Sequence, residues 1–292
     1  MKSTVVVGYD HTPYSDAALA EAAHEAAMRG ADLDVVTAFN RATPLGPSVP
    51  PARDPDPQDA ARKAAEAVAQ HGADWVQERH PELAVTPHAL VGSAGKTVAR
   101  AAHSADLLVV GSRGQGGFAG QNLGSTSMRA LAEACCPVLV VRGETGAGHG
   151  RIVAAVDIDE PCEHILAFAF AEAAARGARL TVLHVWDEPW ILAYAQEDPG
   201  VAEDIALIVA EREDRLSAAI HSIQRRHPGV EPFHQVATGP ASRLLVEASQ
   251  RADLLVTGAR RHGEGQHGMQ LGPVTQTLLQ YAECPLAVVP VT

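Results

Sequence analysis

Cysteine is scarce. Cys135, Cys136, Cys162 and Cys284 are the four present and form no C-x-x-C pair, so a dithiol redox motif is missing. Cys136 and Cys284 each precede a proline, Pro137 and Pro285, in matching surroundings, and read as small core residues. That usage suits a reducing cytoplasm. Positive charge is also short: 23 Lys+Arg face 35 Asp+Glu, for a formal net charge of −12. No basic run exceeds a pair such as Arg225-Arg226 or Arg260-Arg261, which argues against nucleic acid as a partner. No apolar run approaches the roughly 18 residues of a membrane span. The apolar start, Thr4–Gly8, is too short for a signal peptide and reads as a buried first strand. The 14 histidines form no H-E-x-x-H or paired ligand spacing, so no metal is expected. No G-x-S-x-G elbow or Ser-His-Asp set is evident.

What the chain does contain is a repeat. Asp10 recurs as Asp157, Gly92 as Gly239, Ala105–Val109 (ADLLV) as Ala252–Val256, and Gly111 as Gly258, each 147 positions on. The register holds from Asp10 to Gly111 without net insertion. A period this long marks a duplicated domain, since solenoid units repeat every ~20–50 residues. Two domains are expected at 1–143 and 150–292, joined by the glycine-rich Gly143–Gly150.

Each half alternates short apolar runs with alanine-rich stretches, the pattern of βαβ units around a parallel sheet. Strands are expected at 4–9, 33–39, 85–90, 106–110 and 138–142, then at 151–156, 180–186, 232–237, 253–257 and 286–290. Thr12 and Pro13 suit the start of the first helix and Gly30 its end. Residues 41–57 are proline-rich and read as a loop. A helix over 59–80 would set Ala61, Ala64, Ala65, Val68, Trp75 and Val76 on one face. Trp186–Trp190 and Ile205–Val209 could form an interaction surface, but read first as core packing. The last strands of the halves would be exposed apolar edges unless paired, and are expected to pair with each other.

The first half carries a G-x2-G-x9-G-S pattern: Gly111-Ser112-Arg113-Gly114, then Gly124-Ser125-Thr126-Ser127 opening a helix. Glycines let backbone approach an anion closely. Loop N–H groups form an anion-binding concavity, and a helix N-terminus favours phosphate. The Ser125 and Ser127 hydroxyls would add donors. Asp10 ends the first strand, and ligands of open α/β sheets bind beyond the strands' carboxyl ends, where the order reverses. There a carboxylate can accept from ribose hydroxyls or an adenine amino group. Leu90–Thr97 (LVGSAGKT) is similar to a P-loop, but Leu90 stands where that motif needs glycine. It reads as a helix start.

Val5–Asp10, Ala105–Gly114, Gly116-Gly117-Phe118, Leu123–Ser127 and Cys136–Val141 together resemble a universal stress protein domain. The resemblance covers nearly the whole chain as a tandem pair. It implies two doubly wound parallel-sheet α/β domains of five strands each, order 3-2-1-4-5, of the adenine nucleotide alpha hydrolase-like kind. It implies ATP, with or without Mg²⁺, as the bound cofactor. By position, Gly8, Tyr9 and Asp10 would line the adenosine end, and Ala38 would touch the adenine. Val110 and Gly111 would flank ribose and phosphates. Gly114, Gly124 and Ser125 would hold phosphates, with Arg113, Thr126 and Ser127 alongside. A homodimer through sheet-edge or surface contacts is also expected.

The second half keeps Asp157, Val185, Gly258 and Gly272, but Arg261 replaces the second glycine and Pro273 the serine. Proline there removes an N–H donor and the hydroxyl. Thr275 keeps a hydroxyl opposite Ser127. Two readings stay open: a dead site in a structural domain, or anion binding taken over by Arg260, Arg261, His262 and His267. For the whole protein the expectation is an ATP-binding regulator in stress or dormancy. A slow ATP hydrolase and a nucleotide-free interaction module are the alternatives.

Overall fold

The computed structural model describes residues 3–40, 57–113, 123–142, 148–187, 199–261 and 268–291. Gly114, Gly116–Phe118, His262, His267, nearly all of the proline-rich stretch and most of the linker lie outside them. The chain divides into two compact units, one built on Met1–Glu144, the other on Thr145–Arg261 and Gln270–Thr292.

The first unit runs β1 (Thr4–Gly8), α1 (Pro13–Arg29), β2 (Asp32–Phe39), α2 (Pro57–Arg79), β3 (Val85–Val91), α3 (Ala94–Ala101), β4 (Leu107–Gly111), α4 (Ser125–Glu133) and β5 (Val138–Val141). Its parallel sheet has the order β3-β2-β1-β4-β5. The second unit runs β6 (Arg151–Val156), α5 (Glu163–Arg176), β7 (Arg179–Trp186), α6 (Pro199–Gln224), β8 (Phe233–Thr238), α7 (Ala241–Ser249), β9 (Leu254–Arg261), α8 (Pro273–Tyr281) and β10 (Leu286–Val291). Its parallel order is β8-β7-β6-β9-β10. Both units therefore have the 3-2-1-4-5 order, and the expected strands match to within a few residues at their ends. The strand order reverses between β1 and β4, and between β6 and β9.

Local chemistry explains the elements. Thr12 caps α1: its Oγ1 accepts from the Ser15 N–H, and the Ser15 hydroxyl accepts from the Thr12 N–H at 2.9 Å. Pro13 sits where a missing N–H is harmless, and Gly30 closes the helix at φ 60°. The end of the helix is duplicated. Buried Glu25 pairs with Arg29 at 2.9 Å, as Glu172 pairs with Arg176 at 3.0 Å, and Gly177 repeats the left-handed cap. The amino ends of β1 and β6 are held alike. The Asp106 carboxylate accepts from the Thr4 N–H at 2.8 Å, and Asp253 from the Arg151 N–H at 2.9 Å.

Three expectations need correction. The buried stripe of α2 is Ala65, Ala69, Gly72, Ala73 and Val76, and Ala64 is exposed. The helix is turned so that Gly72 admits the Tyr9 ring; a Cβ there would lie 2.8 Å from Tyr9 Cδ1. Ile205–Val209 is not core: Leu207 is 70% exposed and its neighbours are at best half-buried. Trp186, by contrast, is buried. Finally, β9 does not stop near residue 257 but continues through Arg261. Leu90–Thr97 ends β3 and opens α3, as expected, and Gly95 lets α3 close on the Thr126 carbonyl of α4. Cys136 and Cys284 are buried.

Candidate functional site

In the first unit the carboxyl ends of β1 and β4 lie side by side, with Val7 beside Val109. This brings Gly8, Tyr9 and Asp10 next to Val110 and Gly111, while Ala38 ends the neighbouring β2. Alternation along β1 sends Gly8 and Tyr9 to opposite faces. Gly8 packs under Val98 of α3, where a Cβ would lie 3.2 Å from Val98 Cγ1. Tyr9 points to α1 and α2. Its ring is 4% exposed, and its hydroxyl donates to Asp16 at 3.0 Å. Burial first, then the Asp16 hydrogen bond and charge, raise its pKa well above the ordinary phenol value. Its carbonyl accepts from the Thr37 hydroxyl at 2.9 Å. Tyr9 thus anchors the strand end, and its side chain is committed to the core.

Asp10 sits half-buried at the mouth, and its Oδ1 accepts from Thr12 Oγ1 at 2.7 Å. The turn after it is tight: His11 has a left-handed φ of 57°, and its ring lies 4.4 Å from that of His71. Gly111 touches the start of α1, since a Cβ would fall 2.5 Å from the Tyr14 carbonyl oxygen. Arg113 Nη1 donates to the Tyr14 hydroxyl at 3.2 Å. The stretch after β4 is pinned where it meets α4, because the Gly124 N–H donates to the Ser112 carbonyl at 2.7 Å. The N-cap of α4 is Gly124, which makes no side-chain cap hydrogen bond, and Ser125 and Thr126 are exposed there. Ser127 plays another part than the one expected of it. It is buried, and its hydroxyl donates to the Gly111 carbonyl at 2.6 Å. It clasps the helix to the strand end, so its proton is engaged.

These residues fit an adenine nucleotide: an acceptor at the strand end, a close-packed glycine, and an uncapped helix N-terminus at the order reversal. Gly114 lies outside the described residues.

In the second unit Asp157, Val185, Gly258, Gly272 and Thr275 all line one cavity of about 520 Å³. Its remaining wall includes Val156, Ile165, Leu183, Leu245 and Val274. β9 continues past Gly258, and Gly258, Ala259 and Arg260 pair with Val289, Pro290 and Val291. Pro273 opens α8 directly. Thr275 Oγ1 donates to the Gly258 carbonyl at 3.1 Å, the same clasp as Ser127. Arg260 forms an ion pair with Glu160.

Sequence reasoning missed a polar network beside this cavity. His184 occupies the register position of Thr37. It is 3% exposed, and its Nδ1 lies 3.1 Å from the Val156 carbonyl. A carbonyl can only accept, so Nδ1 carries the proton and Nε2 accepts from Arg212 Nη1 at 3.2 Å. Arg212 also pairs with Asp159 at 2.9 Å, as does Arg215. Burial lowers the His184 pKa, and the Arg212 and Arg215 hydrogen bonds lower that of Asp159. The available signal was one histidine inside the otherwise apolar run Val182–Trp186.

Together the two sheets define a doubly wound α/β domain used twice. The Universal stress protein family model matches residues 1–142 and again 148–290. A universal stress protein of Mycolicibacterium smegmatis is 33% identical over 297 residues, covering 98% of this chain and 96% of its own. One from Mycobacterium tuberculosis strain H37Rv is 31% identical over 298 residues, covering 97% and 96%. The crystal structure of a universal stress protein from Archaeoglobus fulgidus has the same fold, with a TM-score of 0.68 at 17% identity and 98% of each chain covered. The chain belongs to the universal stress protein family, as a tandem member.

Among the described residues, no helix is long and apolar enough to cross a membrane, and no cluster of three or more metal-ligating side chains occurs.

Proposed function

We propose that the first unit binds ATP at the β1/β4 reversal, and that the bound nucleotide sets a regulatory, partner-binding state in a stress response. The observation that carries this reading is the convergence of Asp10 with the uncapped start of α4 across Gly111. Asp10 would accept from the nucleoside, and Ala38 and Val110 would bracket it. The N–H groups at Ser125 and Thr126 would take the phosphates, with Gly124 packed beside them. Arg113 would supply charge beside them. Among the described residues the carboxylate at the site is Asp10, which this reading gives to the nucleoside and not to an attacking water. Binding without efficient hydrolysis is therefore the better reading.

Titration calorimetry with ATP tests it. One tight site per chain, lost in Asp10→Ala, is the expected result. No binding by the wild-type chain refutes the reading and leaves a nucleotide-free interaction module.

A further inference from the structure

The turn from β6 to α5 carries Asp157, Glu160 and Pro161, which form part of the cavity wall in the second unit. Its helix end is weakly capped. The N-cap of α5 is Cys162, which makes no side-chain cap bond, where the first unit has the Thr12–Ser15 capping box. The turn is held instead from α6. Arg215 Nη2 donates to the Ile158 carbonyl and its Nη1 to Asp159 Oδ1, both at 2.9 Å. Arg212 Nη1 donates to the other oxygen of Asp159, also at 2.9 Å. The Arg260–Glu160 pair touches the turn too, but it is exposed to solvent, where such pairs contribute little.

Arg212 is itself set by His184. The same Nη1 donates to His184 Nε2 at 3.2 Å, and the guanidinium lies 5.4 Å above the Trp186 ring. Arg212 Nε is buried with no hydrogen-bond partner among the described residues, so the guanidinium has no spare acceptor to turn to. His184 Nδ1 is committed to the Val156 carbonyl. A further proton therefore goes to Nε2. The ring then presents a donor and a positive charge to Arg212 where it had presented a lone pair. Among the described residues the charges that act on the ring are Asp157 and Asp159 from the turn and Arg212 from α6, with Arg215 behind Asp159. β8 presents Val236 at the register position of His184, with His234 next along that face. α5 turns Leu166, Ala169 and Phe170 inward, and its buried Glu172 is taken by Arg176. Burial, the largest effect, holds the ring below its ordinary 6.5, while Asp159 is lowered from 3.8 and stays ionised in that range.

The repeat supplies a contrast. Thr37, Ala65 and Val68 stand 147 positions before His184, Arg212 and Arg215, and none of the three titrates. Thr37 makes the equivalent bond to the strand-end carbonyl with a hydroxyl.

We propose that His184 is an acid-sensing latch: protonation at Nε2 drives Arg212 off Asp159 and releases the β6–α5 turn, with the cavity wall it carries. Half-exposed Asp159 lets the freed guanidinium move into water. The latch works within the second unit and does not depend on nucleotide binding in the first.

Hydrogen–deuterium exchange of the full chain tests it, read by mass spectrometry and corrected for the intrinsic pH dependence of exchange. The reporters are the Asp159 and Glu160 N–H groups, which bond to Asp157 Oδ1 at 3.1 Å and to the Asp157 carbonyl at 3.2 Å. Between about pH 7.5 and 5 their protection should fall about tenfold, the scale of one charged hydrogen bond, with a midpoint below about pH 6.5. β6 and β7 should stay protected throughout. His184→Gln keeps a donor for Val156 and an acceptor for Arg212 without titrating, and should remain protected at both pH values. His184→Thr is the second non-titrating variant and should show no pH dependence either. Arg212→Met should have the low protection already near pH 7.5 and change no further. Equal protection of wild type at both pH values, no protection at either, or an equal fall in the two His184 variants would each overturn the proposal. So would full protection in Arg212→Met, or loss of β6 and β7 together with the turn.

Discussion

Gly111 and Gly258 occupy equivalent places in the repeat, yet alanine at the two positions should have very different costs. At Gly111 the new Cβ would lie 2.5 Å from the Tyr14 carbonyl oxygen and 2.8 Å from its carbon, where ordinary contact begins near 3.4 Å. Nearly 1 Å must therefore be found. The neighbour is backbone, locked into the first turn of α1 by Pro13 and the Thr12–Ser15 capping box, and no rotamer can relieve it. Overpacking costs ~1–3 kcal/mol, and a rigid neighbour places this case near the top. Removing a glycine from the unfolded chain returns about 0.4–1 kcal/mol. The net loss is about 2 kcal/mol, or roughly 30-fold in the folding equilibrium. At Gly258 the nearest atom is Ile165 Cδ1 at 2.6 Å, the tip of a flexible side chain beside the cavity, then Val291 Cγ1 at 3.3 Å. Rotation of Ile165 should hold that cost below about 1 kcal/mol. Urea unfolding is the assay. Trp75 lies in α2, so a Trp186→Phe, Trp190→Phe background makes its fluorescence report on the first unit alone. Gly111→Ala should lower the midpoint by about 1 M at unchanged slope. Gly258→Ala is followed by Trp186 fluorescence. Equal costs at the two positions, or a neutral Gly111→Ala, would refute the argument.

Two further outcomes follow from titrating groups. His184 is held neutral by burial, so its folded pKa lies below its ordinary 6.5. Between the two values the unfolded chain binds the extra proton. The His184 contribution is therefore complete above pH ~6.5 and lost as pH falls through the folded value. His184→Thr, which copies the Thr37 hydroxyl bond, should flatten the decline in second-unit stability between about pH 7.5 and 5.5; an unchanged slope would show that His184 is not its source. Asp159 titrates below that window, because its pKa is lowered from 3.8. Cys136, pushed up to about 12 mainly by burial, should resist thiol labelling at pH 8 in the folded protein while half-buried Cys135 reacts; mass spectrometry after partial labelling would show the reverse order if this is wrong.

The strands and the helix ends of this fold were legible because their signals are local. Apolar runs mark buried parallel strands, and Thr12-Pro13 and Gly30 punctuate α1 by backbone chemistry alone. The phase of α2 was not legible, since an alanine-rich helix offers little contrast between faces and the deciding contact is Tyr9 against Gly72. Gly258–Arg261 reads as a loop only by analogy with the first half; its true state depends on pairing with Pro290 and Val291, more than thirty residues away. Ser127 and Thr275 were rightly placed near the strand ends, but their spacing carries no information on where a hydroxyl points. In the first unit Asp10, Gly111 and Gly124 come together as expected. In the second unit the spared residues gather around one cavity.

The bond from the Gly124 N–H to the Ser112 carbonyl also bears on how this family can diversify. It holds the two ends of the intervening segment together, while Ser127 holds the helix to Gly111. The length of chain between Ser112 and Gly124 is thereby uncoupled from the positions of β4 and α4. Closing a longer loop between fixed ends costs little, about 0.6 kcal/mol for each doubling. Substitutions and insertions can therefore accumulate there with the scaffold unmoved. The second half, with one more residue between Gly258 and Gly272 than lies between Gly111 and Gly124, shows a change of that kind in the duplicate copy.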